Sequence, residues 1–209
     1  MAYKDFTLRK LKEKFGIQNK LASLFEGVSI QPMLPSDWLT KTLSLTRKLV
    51  LRSEKSKSEA IVMPVLVELK DRNQDFFMIH SGEMLNVNKE LGINGECDFI
   101  LSANPKSYII DTPIISLVEA KKGELDLGMG QCAAQMYAAK LQNEEDGKPL
   151  DIIYGCVTNS DLWRFMKLEN NELTIDEKKY SIENLETILG IFQHIIDYYK
   201  SILEPVGAT

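Results

Sequence analysis

The spacing of apolar residues changes near residue 75, and this change constrains the fold more than any other feature of the chain. Before it, apolar residues recur at helical intervals. Residues 5–15 read as a short helix. Residues 36–52 read as another, with Ser36 or Asp37 as cap and Trp38, Leu39, Leu43, Leu45, Leu49 and Val50 as its apolar set. After a polar break at 53–58, a third helix is predicted over 59–70, capped by Ser58 and buried through Ile61, Val62, Val65, Leu66 and Leu69. Pro64 falls in its first two turns, where proline is tolerated or causes a small kink. Beyond residue 75 come short apolar runs bounded by Gly, Asn or Pro: 76–80, 96–103, 114–120 and 150–158, which read as strands. Residues 127–142 read as a helix between the last two. Further strands are expected at 162–168 and 172–175 around Asn170-Asn171, and a closing helix at 182–203. Helices, a strand cluster, a crossover helix and more strands give an α/β fold with a mixed central sheet flanked by helices.

Several functional classes are poorly supported. No apolar run approaches the roughly 18 residues that span a bilayer. The first fifteen residues lack a signal-peptide core, so no membrane contact and a cytoplasmic location are expected. The three cysteines, Cys97, Cys132 and Cys156, are widely spaced, and neither His80 nor His194 has a partner at ligand spacing. Buried free thiols are expected, not a zinc site or a Ser-His-Asp hydrolase. His194 reads as structural and His80 receives no role.

The net charge of −5 opposes tight nucleic-acid binding, but it is unevenly spread. Residues 1–57 hold twelve Lys and Arg against five Asp and Glu; the remainder holds thirteen against twenty-five. The basic third can meet phosphates, or it can be the solvated faces of amphipathic helices.

Chemistry concentrates in Gly95-Glu96-Cys97-Asp98-Phe99 and Val118-Glu119-Ala120-Lys121-Lys122. In the second strand Ile115, Leu117, Glu119 and Lys121 share one face. If the two strands form an antiparallel hairpin, its midpoint lies near Tyr108 and brings Asp98 beside Glu119. Carboxylates so placed repel unless a cation sits between them. Hard oxygen donors in small number, completed by water and phosphate, suit Mg²⁺ or Mn²⁺. Lys121 would orient the attacking water or stabilise developing negative charge. Glu68-Leu69-Lys70 and Glu177-Lys178-Lys179 share the spacing, so placement at the end of an apolar strand, not the tripeptide, is what points to chemistry. An edge-strand charge pair is the competing reading.

Asp98 followed by Glu119-x-Lys121 resembles the PD-(D/E)XK nuclease superfamily. Ser58-Glu59-Ala60, the two segments above and Gly130-Gln131-Cys132-Ala133-Ala134-Gln135 resemble the nuclease domain of type I restriction enzyme R (motor) subunits and related short proteins. The resemblance covers roughly 58–168. It implies a restriction-endonuclease-like fold for a nuclease-like domain at 58–209; residues 1–57 fall outside the resemblance and are expected to be a basic helical extension forming one compact unit with it. It further implies Mg²⁺-dependent cleavage of DNA phosphodiester bonds, in restriction or defence. Asp98, Glu119, the Ala120 carbonyl and Glu59 would hold metal, and Lys121 would be the catalytic lysine. A glutamine from the crossover helix would join the site, Gln131 being favoured over Gln135 as nearer the helix start. Lys122 is a solvated neighbour or a phosphate contact.

Departures are few. Cys97 stands where the superfamily often has proline, and neither a GxxxxGK[ST] loop nor a separate sequence-reading domain is present. Target choice would then fall to the basic segment, to a partner subunit or to a homodimer. A non-catalytic nucleic-acid-binding or assembly subunit retaining the fold is the alternative. Trp163-Arg164-Phe165 is read as a strand with its aromatics in the core and Arg164 outward, in preference to a base-stacking patch.

Overall fold

The structure, a computed structural model, describes residues 1–203. Its centre is an eight-stranded mixed sheet in the order β1-β7-β6-β5-β4-β3-β2, with β8 also pairing β6. The strands are β1 (Gln18–Ala22), β2 (Met78–Met84), β3 (Glu96–Ser102), β4 (Ile114–Ala120), β5 (Ile152–Thr158), β6 (Leu162–Glu169), β7 (Glu172–Asp176) and β8 (Tyr180–Ser181). Neighbours are antiparallel except β4–β5, joined through helix α5 (Asp126–Glu145), and β1–β7. A parallel pair needs a crossover, and α5 supplies the one between β4 and β5.

Helices cover both faces. On β5, Gly155 faces α5, where an added Cβ would lie 2.4 Å from Met136 Sδ. Its neighbour Tyr154 meets Tyr198 and Tyr199 of α6 (Leu185–Leu203) on the opposite face. Trp163 and Phe165 of β6 pack on Phe192 of the same helix. With both faces covered, β4 is buried along its whole length, which explains its unbroken apolar run. For the same reason Arg164 does not point outward. It is buried on the α5 side, donating to the Asp176 carbonyl at 2.7 Å and pairing with Asp126 at 3.4 Å.

The N-terminal third departs from expectation. The first helix, α1, is Leu8–Phe15, capped by Thr7. The second, α2, is Asp37–Thr46, capped by Ser36 and shorter than its apolar pattern. The polar stretch at 53–58 is no break. Ser53 caps α3 (Glu54–Lys57), which runs through a π turn (Ser58–Val62) into α4 (Met63–Arg72). Pro64 explains the irregularity. It has no N–H to offer the Ala60 carbonyl, which instead accepts from the Thr46 hydroxyl at 3.1 Å. The Met63 amide reaches back to Ser58.

A boundary at residue 57 therefore falls inside a helical stretch. The segment before it is also no purely helical extension, since it supplies edge strand β1. Tyr3 is buried with its hydroxyl donating to the Leu85 carbonyl, and the backbone of Phe6 and Thr7 lies against Gly130 of α5 closely enough that a Cβ there would meet the Phe6 carbonyl oxygen at 2.4 Å. No helix among the described residues is long and apolar enough to cross a membrane.

Candidate active site

The β3–β4 hairpin sets the site. Phe99 opposes Val118, Ile100 opposes Leu117 and Leu101 opposes Ser116 before a bulge near Ser102. Continued one step outward, this register sets Asp98 against Glu119, the pairing expected from the hairpin midpoint. There the ladder gives way to a side-chain contact: Asp98 Oδ2 accepts from the Ala120 amide at 2.7 Å. Glu119 is only 1% exposed and lies on the α5 face. Its Oε1 receives the Lys121 ammonium at 2.6 Å, and its Oε2 accepts from Gln135 Nε2 at 2.8 Å. Lys121 Nζ also donates to Gln131 Oε1 at 3.1 Å. One helical turn of α5 thus contributes both glutamines: Gln131 touches the lysine and Gln135 the carboxylate. Gln135 is the more deeply placed, fully buried with its Oε1 lacking a hydrogen-bond partner.

Lys121 fits this space because α5 carries a glycine, Gly128, against it. A Cβ on Gly128 would come within 2.7 Å of Val157 Cγ1 and 2.9 Å of Lys121 Cγ. The backbone beyond β4 is anchored by the Lys121 amide donating to the Thr158 carbonyl at 2.7 Å.

Burial first, and the neighbouring Asp98 charge second, push the Glu119 carboxyl up to about 7, against the opposing pull of Lys121 and Gln135. Burial also raises Asp98, offset in part by the Ala120 amide and Lys121. Burial works against the charge on Lys121, yet Glu119 and Asp98 hold its ammonium above the usual range.

Glu59 is not brought to this group. Its side chain is 67% exposed and pairs with Lys55 at 3.8 Å on the helix surface. Glu54, one residue after the true N-cap, is the acid of this helical stretch that reaches the residues beyond β4. Its Oε1 accepts from the Lys122 amide at 3.0 Å, and its charge acts on both Asp98 and Lys121. The Ala120 residue is in place at the end of β4, its amide held by Asp98. Lys122 is exposed beside the site.

Other candidates fall away from this point. Glu68 is buried in a structural network, accepting from the Ser36 backbone and hydroxyl and from Arg72. His80 is buried with Nε2 3.1 Å from the Ser102 hydroxyl, and His194 stands edge-on to Phe25. Cys97, Cys132 and Cys156 are free and buried.

The donor set fits a hard divalent cation of low protein-ligand count. Two carboxylates converge, each raised by burial, so each gains from a cation replacing a proton. Among the described residues no group of three or more His, Cys, Asp or Glu forms a cage. A Mg²⁺ ion retaining several waters needs none. Family models, curated proteins and solved structures yield no match to this chain.

Proposed function

We propose that the chain is a metal-dependent nuclease of restriction-endonuclease-like fold that hydrolyses DNA phosphodiester bonds. The observation that carries the reading is the convergence of Asp98, Glu119 and Lys121 at the open end of the β3–β4 hairpin, with Gln131 and Gln135 braced against them. The element order α4, then β2-β3-β4, then α5 and β5 supports the fold assignment, as does the likeness of the sequence to type I restriction nuclease domains.

Asp98, Glu119 and the Ala120 carbonyl would hold Mg²⁺, with Mn²⁺ as substitute; Glu54 lies close enough to add negative charge to the same space. The ion would polarise the scissile phosphate and acidify a bound water. The protein's own part is positional. The Ala120 amide fixes one Asp98 oxygen and leaves Oδ1 available. Gln135 orients Glu119. Gln131 holds the Lys121 ammonium near the strand end, where it can move from Glu119 to the attacking water or to a phosphate oxygen as negative charge develops.

The test is plasmid cleavage in Mg²⁺ or Mn²⁺, with Asp98→Ala and Lys121→Ala as controls. Metal-dependent nicking abolished by both substitutions supports the reading; cleavage surviving both defeats the site. A second reading, a nucleic-acid-binding or assembly subunit without catalysis, draws on one observation: Glu119 is closed off from solvent and already engaged by Lys121. Binding of nucleic acid with no cleavage of any DNA or RNA substrate would favour it.

A further inference from the structure

A cleft of about 560 Å³ opens between α2 and the start of α6. Leu43 and Arg47, one helical turn apart, turn one side of α2 toward it, and Leu49 in the turn after α2 extends that wall. The other wall comes from a short 3-10 turn (Ile182–Asn184) and the first residues of α6, with Glu183, Leu185 and Glu186 on the lining. The cleft is apolar between the walls and charged at the rim.

The two rims carry opposite signs. On the α2 side Arg47, Lys48 and Arg52 are exposed; on the α6 side Glu183 and Glu186 are exposed. Among the described residues none of the five is in an ion pair. Lys57 and Asp161, also on the lining, neutralise each other at 3.5 Å. A polyanion or an anionic bilayer would meet the two glutamates along with the cations, so this rim does not select one. The α2 rim also carries an apolar projection: Leu49 is 60% and Val50 77% exposed, and Val50 lies outside the lining, turned away from its own cleft. One face of the chain thus holds an apolar projection beside an apolar hollow, and unpaired cations across from unpaired acids. Turned about a two-fold axis, such a face meets its own complement at both ends. A foreign partner would need one member of each pair; a second copy uses both.

We propose that the α2–α6 cleft is a self-association face, through which two copies of this chain pair about a two-fold axis. Each copy seats Leu49 and Val50 in the cleft of the other, and the Arg47–Lys48 rim of each lies against the Glu183–Glu186 rim of the other. The pairing removes exposed aliphatic surface from water and gives each unpaired rim charge a partner. Every contact occurs twice, so modest charge pairs at the rim count double. The pairing does not depend on the nuclease reading and uses none of the residues at the end of the β3–β4 hairpin.

The test is sedimentation velocity of the full chain over a range of concentrations. A monomer–dimer equilibrium is expected. Arg47→Glu with Lys48→Glu is expected to weaken it by about tenfold or more, and Glu183→Lys with Glu186→Lys by a similar factor, because each reversal is felt at both contacts. Mixing the two variants is expected to restore pairing. Reversed charges then meet reversed charges across one contact, and unaltered ones meet across the other. Val50→Asp is expected to weaken the dimer without such rescue. Lys106→Glu, exposed on the β3–β4 loop, is expected to leave it unchanged. Circular dichroism melts of the variants verify folding. A chain that stays monomeric throughout, whether or not its cleft takes up a peptide or an oligonucleotide, overturns the proposal. So does a dimer that both charge-reversed variants form as readily as the unaltered protein, or a mixture of the two that fails to associate. Loss or presence of DNA cleavage bears on the nuclease reading alone and leaves these outcomes unmoved.

Discussion

The Lys121 ammonium sits 2.6 Å from Glu119 Oε1, the lysine lying just beyond the end of β4 and two residues after the glutamate. The lysine is 17% exposed and the glutamate almost wholly buried, so each is the other's main compensation for leaving water. Removing the cation strands a buried carboxylate. Lys121→Met is expected to destabilise the metal-free protein by about 1–3 kcal/mol at pH 8, and by less at pH 6, where Glu119 takes up a proton instead. Urea unfolding at the two pH values measures the difference; an equal loss at both would separate the pair energetically.

Metal binding should follow the proton on Glu119. Its folded-state carboxyl is raised to about 7 from an ordinary value of 4.5. The stability that this raised group contributes is fully present below about 4.5 and is lost as pH rises through about 7. A divalent ion displacing that proton therefore binds best above 7. The thermal shift produced by Mg²⁺ is expected to be larger at pH 8 than at pH 6, with apparent affinity falling about tenfold per pH unit below 7. Scanning fluorimetry across that range checks it, and a shift that grows toward acid would contradict the assignment.

Gln135 is expected to tune that dependence. It is fully buried and donates to Glu119 Oε2. Gln135→Leu removes a donor that favours the charged carboxylate, so the pH midpoint of Mg²⁺ binding should move upward, at a stability cost of about 1–3 kcal/mol. Calorimetric titration at several pH values gives the midpoint, and urea unfolding gives the cost.

Two glutamates five residues apart should behave differently. Glu54→Gln is expected to weaken Mg²⁺ binding and to change metal-supported cleavage, because Glu54 bonds to the Lys122 amide and acts on Asp98. Glu59→Gln, on the helix surface with Lys55, is expected to leave both unaltered. Isothermal titration of the two variants side by side decides the matter; a stronger effect at Glu59 would reverse the assignment.

Gly128→Ala tests the seat of the lysine. A methyl there meets Val157 and Lys121 below 3 Å. It is expected to cost about 1–3 kcal/mol by overpacking and to lower cleavage by displacing Lys121, with Asp98 and Glu119 still in place to hold metal. Retained cleavage with retained stability would show that α5 yields.

The hairpin is legible in the sequence because strand period and loop symmetry fix a register together. Asp98 and Glu119 lie about equally far from a midpoint next to Tyr108, and the ladder outside the bulge keeps the register that sets one opposite the other. The first-helix acid is not legible, for a local reason. Ser53-Glu54 and Ser58-Glu59 are both a cap residue followed by a first-turn glutamate, and sequence alone does not rank them. The apolar stripe begins only after Ser58, so it favours the second; the helix starts at the first and carries a polar turn ahead of its buried part. Strand β1 is hidden because Gln18-Asn19-Lys20 is exposed and lacks an apolar alternation, and its pairing with β7 is carried by backbone. Arg164 is misplaced by its pattern because alternation distinguishes two faces but does not reveal that both are covered. Of the crossover glutamines, proximity to the helix start favours Gln131, whereas the deeper contact with Glu119 belongs to Gln135.

Strand β1 also imposes a timetable on the chain. Its partner, β7, follows it by about 150 residues, with Gln18 opposite Glu172 and Ala22 opposite Asp176. A growing polypeptide cannot close that edge until nearly all of it has left the ribosome, and a refolding one must bring together ends separated by most of its length before the pairing is rewarded. Hydrogen exchange should therefore protect β1 amides late in refolding, after the β3–β4 hairpin has formed.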